Sequence, residues 1–275
     1  MDVNSVNLQA LQLRSFGRSE IGPVRRSNQD SGFYSANSVF IADGVGGSTA
    51  GDVASQTICT LMASYVDTLE NINMRTLRAA LTKANKSLSD LAFEHPALRG
   101  MATTFSGLFC TGKVLFAVHI GDSRIYRFRD EKLEQITRDD SWVQMLLDQG
   151  MLTDDEIATH PMRNMLLHSL SGAPQDASLA AIAPISCKVG DRWLVASDGL
   201  TSYVSQDVIA RSLRRQETPE KCVDDLIKKS MSSTRDNVSV LVADVVEEES
   251  VLPQGTLLGA AAQQELTLPS WQIRA

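Results

Sequence analysis

Three apolar runs of β-forming residues each meet one aspartate, and this restricts the fold more than any other feature of the chain. They lie in SVFIADGVGG (38–47), WLVASDG (193–199) and TRDNVSVLVADV (234–245). Asp43 and Asp198 close their runs, and Asp236 opens the one that follows it. Runs this apolar, without polar alternation, read as strands covered on both faces. Aspartates at the ends of such strands meet where a sheet edge gathers carboxylates from distant parts of a chain. Several carboxylates so close cannot all stay ionised unless a cation compensates them. Oxygen donors alone select a hard ion, Mg²⁺ or Mn²⁺. A metal-dependent enzyme is the expectation.

The formal charge of −7 is spread along the 275 residues rather than gathered in blocks. That argues against nucleic acid or an anionic membrane surface as the main partner. It does not argue against a phosphorylated substrate, because bound metal inverts the local field. Cys59, Cys110, Cys187 and Cys222 stand singly, with no zinc-ligand spacing, and read as small buried hydrophobes. The opening MDVNSVNLQALQLRSFGRSE has no basic start followed by an apolar core, so no secretory signal is expected. No stretch approaches the ~20 apolar residues of a membrane span. No membrane insertion and a cytoplasmic location are therefore expected.

The period of the apolar residues changes several times. Residues 9–17 and VFIAD read as strands, separated by the turn-rich GPVRRSNQDSGF (22–33). Helical spacing then runs over about 49–70 and 74–93. TTFSGLFC, VLFAVHIG, RIYRFRD and KLEQIT read as consecutive strands. Residues 141–172 break that run with two helical pieces and His160-Pro161, as a flap-like insertion near the pocket would. Strands are expected again at 178–186 and 191–197, helices at about 205–215 and 219–231, and a last strand at 237–246. Strands joined by tight turns, with the helices segregated, make an α+β layered sandwich of mostly antiparallel sheets. Residues 1–246 read as one domain, and 247–275 as an extension outside it.

The phrases GPVRRSNQD (22–30), ADGVGG (42–47), ATTF (102–105), GDSR (121–124), ASDG (196–199) and RDN (235–237) stand in that order along the chain. Together with a late HP-x-RN, they resemble the metal-dependent Ser/Thr protein phosphatases of type 2C, the PPM family, and most closely its bacterial single-domain members. The resemblance spans about residues 10–245. It implies a four-layer αββα sandwich, two central sheets flanked by helix pairs, with two Mn²⁺ or Mg²⁺ ions at one end and a third ion in many members. It implies that Asp43 bridges the two metals, that the Gly44 carbonyl ligates one of them, and that Asp198 and Asp236 are further ligands. Asp30 matches the aspartate that holds metal-bound waters, and Asp122 the one that shares a third ion with Asp198. Arg25 matches the arginine that binds the substrate phosphate, where a planar fork suits two oxygens. The implied reaction is attack of a metal-bridged water on the phosphorus of phosphoserine or phosphothreonine, without a phosphoenzyme. Phosphorylated proteins are the implied substrates, and a Hanks-type Ser/Thr kinase the implied opponent.

Three positions depart from the pattern. Val45 replaces the histidine that animal members carry and that is a proposed general acid. Asp140 stands in TRDDS where bacterial relatives often show TRDHS, and Ala102 stands where relatives usually have glycine. Several readings stay open. Asp122 could pair with Arg124 or another arginine as a plain salt bridge, Arg26 rivals Arg25, and His119 reads as a core or sheet histidine. The extension could be a disordered end or a docking segment presenting Leu266, Leu268 and Trp271. The alternative function is a pseudophosphatase, a phosphoprotein-binding or scaffold module; the complete set of carboxylates argues against it.

Overall fold

The computed structural model describes residues 10–45, 50–68, 71–157, 159–247 and 255–263. β1 (Leu11–Glu20), β2 (Asp30–Tyr34) and β3 (Ser38–Val45) precede two long helices, α1 (Gly51–Thr68) and α2 (Met74–Glu94). The two-residue β4 (Ala102–Thr103), β5 (Phe105–Cys110), β6 (Leu115–Ile120), β7 (Arg124–Arg129) and β8 (Lys132–Gln135) follow. The inserted segment carries α3 (Trp142–Asp148) and α4 (Asp154–Ile157). Beyond it come α5 (Asp176–Leu179), β9 (Ala181–Ile185), β10 (Arg192–Ala196), α6 (Asp198–Thr201), α7 (Gln206–Arg215) and α8 (Pro219–Met231). β11 (Val238–Glu247), β12 (Thr256–Gly259) and α9 (Ala260–Gln263) complete the order.

Two antiparallel sheets result. One runs β1-β11-β10-β7-β8; the other runs β12-β2-β3-β5-β6-β9, with β4 against the end of β3. Alternation along single strands shows how the layers stack. Val39 and Ile41 of β3 enter a core shared with Trp193 and Val195 of β10, the interior between the sheets. Phe40 and Ala42 turn the other way, into a core with Ile58, Met62, Leu77 and Leu81 of α1 and α2. Leu194 and Ala196 of β10 face Ile209, Leu213, Val223 and Leu226 of α7 and α8. Central strands buried on both faces explain why their sequences carry so little polar alternation. The expected α+β sandwich of two sheets between helix pairs is the observed architecture. No helix among the described residues is long and apolar enough to cross a membrane.

The insertion is fastened at both ends by single bridges, Ser141 to Leu166 and Leu170 to Thr103. Two expectations need correction. The strand expected from residue 178 begins at Ala181, because a helical turn, α5, occupies Asp176–Leu179. Asp176 sets that turn by accepting bonds from the Ser171 and Ala173 amides and the Ser171 hydroxyl, at 2.7–3.1 Å. The second concerns the extension. Residues 256–259 pair with β2, and α9 buries Ala260 and Ala261, so this part of the 247–275 segment belongs to the sandwich. β2 would otherwise be an open sheet edge, which is the physical reason for the pairing. Leu266, Leu268 and Trp271 lie outside the described residues.

Candidate active site

The expected site residues come together at one end of the two sheets. Asp43 lies near the end of β3 and is in register with Asp30, the first residue of β2. Asp198 is the first residue of α6, immediately beyond the end of β10. Asp122 sits in the turn between β6 and β7, and Asp236 in the turn that opens β11. Arg25, from the β1–β2 loop, completes the rim.

Short polar contacts hold each of them. The Asp43 amide donates to Thr104 Oγ1 at 3.0 Å, and the Asp43 carbonyl accepts from the Thr104 amide and Thr103 Oγ1, each at 2.9 Å. Thr104 Oγ1 also meets Ser123 Oγ at 2.8 Å, next to Asp122. Ser197 Oγ donates to Asp30 Oδ2 at 2.9 Å and accepts from the Ser239 amide at 3.0 Å, so one hydroxyl links β10, β2 and β11. Gly44 is a position where only glycine fits. A Cβ there would collide with the carbonyls of Gly51 and Gln29, since β3 and the start of α1 touch backbone to backbone.

Two supports carry no function in the sequence reading. Asn237 donates from Nδ2 to the carbonyls of Ile21 and Ser27, at 2.8 and 2.9 Å, while its Oδ1 accepts from the Gln29 amide at 2.9 Å. One side chain thus shapes the loop that carries Arg25. The RDN phrase contained the residue, but only the fold places it beside residues 21–29. His119 is the buried core histidine that was expected. It lies between Ser106 Oγ (2.8 Å) and the Arg138 carbonyl (2.9 Å), and Ser106 in turn donates to the Ser123 carbonyl at 2.7 Å. Burial pushes the His119 pKa down, against Asp140, the Arg138 carbonyl and Asp139.

Electrostatics marks this end of the molecule. Burial, reinforced by the charges of Asp30, Asp198, Asp122 and Asp236, holds the Asp43 pKa well above the ordinary carboxylate range. Asp198 is raised likewise by burial, then by Asp122, Asp236 and Asp30. Asp122 is pushed up to about 7, chiefly by burial and Asp139, and Asp30 to about 6, chiefly by burial. Raised carboxylate pKa values from burial plus mutual repulsion mark a place that wants a cation. Arg25 supplies one: its Nη2 donates to Asp236 Oδ2 at 2.6 Å. Arg26 makes no side-chain bond among the described residues, so the contact with the carboxylates falls to Arg25. Arg124 is committed to Asp139 through three bonds of 2.7–3.1 Å, so it forms no ion pair with Asp122.

Whether the residues suit a divalent ion is answered by their chemistry. The donors are carboxylate oxygens and a backbone carbonyl, the set that hard ions take. Among the described residues no three His, Cys, Asp or Glu side chains close on one point tightly enough to hold an ion by themselves. The donor types and raised pKa values weigh more, and the residues fit. Asp122, Asp198 and Asp236 also line a cavity of about 480 Å³, together with Leu147, Arg163 and Tyr203. Two of the departures prove to be neighbours, since Val45 pairs with Ala102 across β3 and β4. The third, Asp140, takes the Gly121 amide on Oδ2 at 3.1 Å and meets His168 Nδ1 at 3.3 Å, joining the insertion to the turn before Asp122.

Residues 24–248 match the family model of protein phosphatase 2C. The chain belongs to the protein phosphatase 2C family. Its similarity to the serine/threonine protein phosphatase PstP of Mycobacterium tuberculosis is 37% identity over 263 residues, covering 94% of this chain and 51% of PstP. The chain thus spans about half the length of that relative. The serine/threonine phosphatase Stp of Listeria monocytogenes is 30% identical over 239 residues, covering 82% of this chain and 94% of Stp. A crystal structure of the PstP catalytic domain in complex with two manganese ions superposes with a TM-score of 0.79 at 36% identity. It covers 86% of this chain and 99% of that domain.

Proposed function

We propose that this chain is a metal-dependent phosphoserine/phosphothreonine protein phosphatase that uses Mn²⁺ or Mg²⁺. The observation that carries the reading is the gathering of Asp30, Asp43, Asp122, Asp198 and Asp236, with Arg25, at one sheet end, where burial and neighbouring carboxylates raise the pKa values of Asp30, Asp43, Asp122 and Asp198. Asp43, Asp198, Asp236 and the Gly44 carbonyl would hold two ions, as the PstP domain holds two manganese ions. Asp122 with Asp198 would serve a third. Ions so held supply an activated water and polarise the phosphoryl group.

The chain's own groups do the rest. Arg25 exchanges its bond to Asp236 for two phosphate oxygens and so orients the phosphorus. Asp30, whose Oδ2 accepts from Ser197 Oγ and whose carboxyl lies beside that of Asp43, would hold metal-bound water there. Val45 offers no proton, so the leaving oxygen takes one from solvent or from another group. The cavity beside the carboxylates accommodates the residues that flank the phosphoamino acid. Such a substrate requires a kinase that phosphorylates the same proteins, and a cytoplasmic Ser/Thr kinase as opponent is part of this proposal. The test is phosphate release from a phosphothreonine peptide with and without Mn²⁺, in wild type and Asp236→Ala. Metal-dependent release that collapses in the variant supports the reading. No release from folded wild type with several phosphopeptides and both metals overturns it.

A further inference from the structure

The family match ends at residue 248, yet residues 255–263 are built into the sandwich beside the site. β12 lies antiparallel to β2, with Gly259 opposite Ser31, the neighbour of Asp30. Gly259 has φ +63°, a left-handed conformation, and a Cβ there would collide with the Asp30 carbonyl oxygen. The same Cβ would come within 2.8 Å of Ser19 Oγ, a hydroxyl bonded to Asn28 and Ser239 at 2.8 and 2.7 Å. Beyond it, the Ala261 amide donates to Ser31 Oγ at 3.2 Å. Ser31 Oγ meets Ser55 Oγ at 3.0 Å, and Ser55 donates to the Gln29 carbonyl at 2.6 Å. Leu258 fills a slot prepared for it. A Cβ on Gly17 of β1 would sit 2.7 Å from Leu258 Cδ1, and one on Gly32 of β2 would sit 3.6 Å from Leu258 Cβ. Two glycines, one from each sheet, leave the space that this leucine occupies.

We propose that residues 255–263 form an intramolecular clamp that positions Asp30, with Gly259 seating the backbone against the Asp30 carbonyl and Leu258 locking the strand over Gly17 and Gly32. Asp30 is the first residue of β2, and its carboxylate is held from one side by Ser197. The clamp fixes its backbone from the opposite edge. Leu258 and Gly259 are positioning residues: they touch neither substrate nor metal and act through Asp30. The inference rests on the proposed function in one respect, that Asp30 stands beside the metal centre.

The experiment uses the full chain in four forms: wild type, Gly259→Ala, Leu258→Ser, and Gln263→Ala at the exposed end of α9 as control. Two quantities are read well below every melting temperature: hydrogen exchange over Asp30–Tyr34, and the Mn²⁺ dissociation constant from the free-ion EPR signal. Faster exchange in the first two variants is expected, with Mn²⁺ binding weakened about 10-fold or more, the usual cost of losing support behind a metal site. Phosphate release should fall in kcat with KM little changed, and Gln263→Ala should match wild type. Fast exchange with unchanged Mn²⁺ affinity and kcat would overturn the clamp, leaving a mere edge cover. Unchanged exchange in both variants would overturn it too. Should Gly259→Ala fail to fold, Leu258→Ser decides the matter. A folded wild type that binds no Mn²⁺ overturns the phosphatase reading instead, and exchange over Asp30–Tyr34 still decides whether the clamp holds β2.

Discussion

Arg25 and Asp236 lie 211 residues apart in sequence, yet Arg25 Nη2 sits 2.6 Å from Asp236 Oδ2. The residue expected to grip phosphate is thus paired with a residue expected to grip metal. Both are partly solvent-exposed, at 40% and 22% of the side-chain surface, so the bond can be exchanged at little cost. Arg25→Ala should lower kcat/KM for a phosphothreonine peptide by about 10- to 100-fold, the ~1.5–3 kcal/mol of hydrogen bonds to a charged group. Mn²⁺ affinity should be unchanged or slightly tighter, because Asp236 loses a competitor. Calorimetric Mn²⁺ titration beside steady-state kinetics checks both; weaker Mn²⁺ binding with unchanged kinetics would contradict the assignment.

The raised carboxylates make stability and metal binding depend on pH in opposite senses. Asp30 and Asp122 titrate near 6 and 7 in the folded chain, against 3.8 for an ordinary aspartate, so the native state binds more protons than the unfolded one between about pH 4 and 7. Stability then falls as pH rises through that window. Chelator-treated protein should melt at a lower temperature at pH 8 than at pH 5.5. Mn²⁺ must displace those protons, so its affinity should rise over the same window and remove the alkaline loss. Thermal melts at the two pH values, with chelator or with Mn²⁺, read this directly. A chelated protein equally stable at both would show that the carboxylates are not mutually strained.

Much of the fold was legible because its elements repeat a period. α8 carries Cys222, Val223, Leu226 and Ile227 at helical spacing behind the Thr218-Pro219 start, and both of its ends were readable. β10 and β11 were readable from apolar runs that are buried on both sides. β12 was not. Four residues, TLLG, have no period of their own, and they form a strand only because β2 offers an edge and Gly17 and Gly32 leave room for Leu258. At the site, Asp43, Asp198 and Asp236 could be picked out by their places at the ends of strands. The work of Asn237 could not, since its three bonds reach a loop more than 200 residues earlier in the chain.

Asn237 gives a prediction of its own. Removing its amide leaves the carbonyls of Ile21 and Ser27 and the amide of Gln29 without their partner. At about 0.5–1.5 kcal/mol net for each bond, Asn237→Ala should cost a few kcal/mol of stability. Its functional signature should be a higher KM, through the loop that carries Arg25, with Mn²⁺ affinity largely kept. Urea unfolding and peptide kinetics measure the two effects. A stability loss without any change in KM would mean that the loop finds the position of Arg25 unaided.

The inserted segment makes the most specific claim on substrate choice. Gln144 and Leu147 from α3, Ile157 from α4, and Arg163 and Asn164 beyond it line the same cavity as Asp122, Asp198 and Asp236. None of these wall residues belongs to the carboxylate cluster, so their contacts fall on the substrate around the phosphoryl group rather than on the phosphorus. The bridges Ser141–Leu166 and Thr103–Leu170 close the segment off at its base, which lets it be exchanged as a unit. Replacing 141–172 with the corresponding segment of Listeria Stp should therefore alter the ranking of phosphopeptides while turnover of a small aryl phosphate stays within about threefold, under the ~0.7 kcal/mol that factor represents. An unchanged peptide ranking would move substrate choice away from this wall, toward the α6–α7 side of the cavity, where Tyr203 and Gln206 stand.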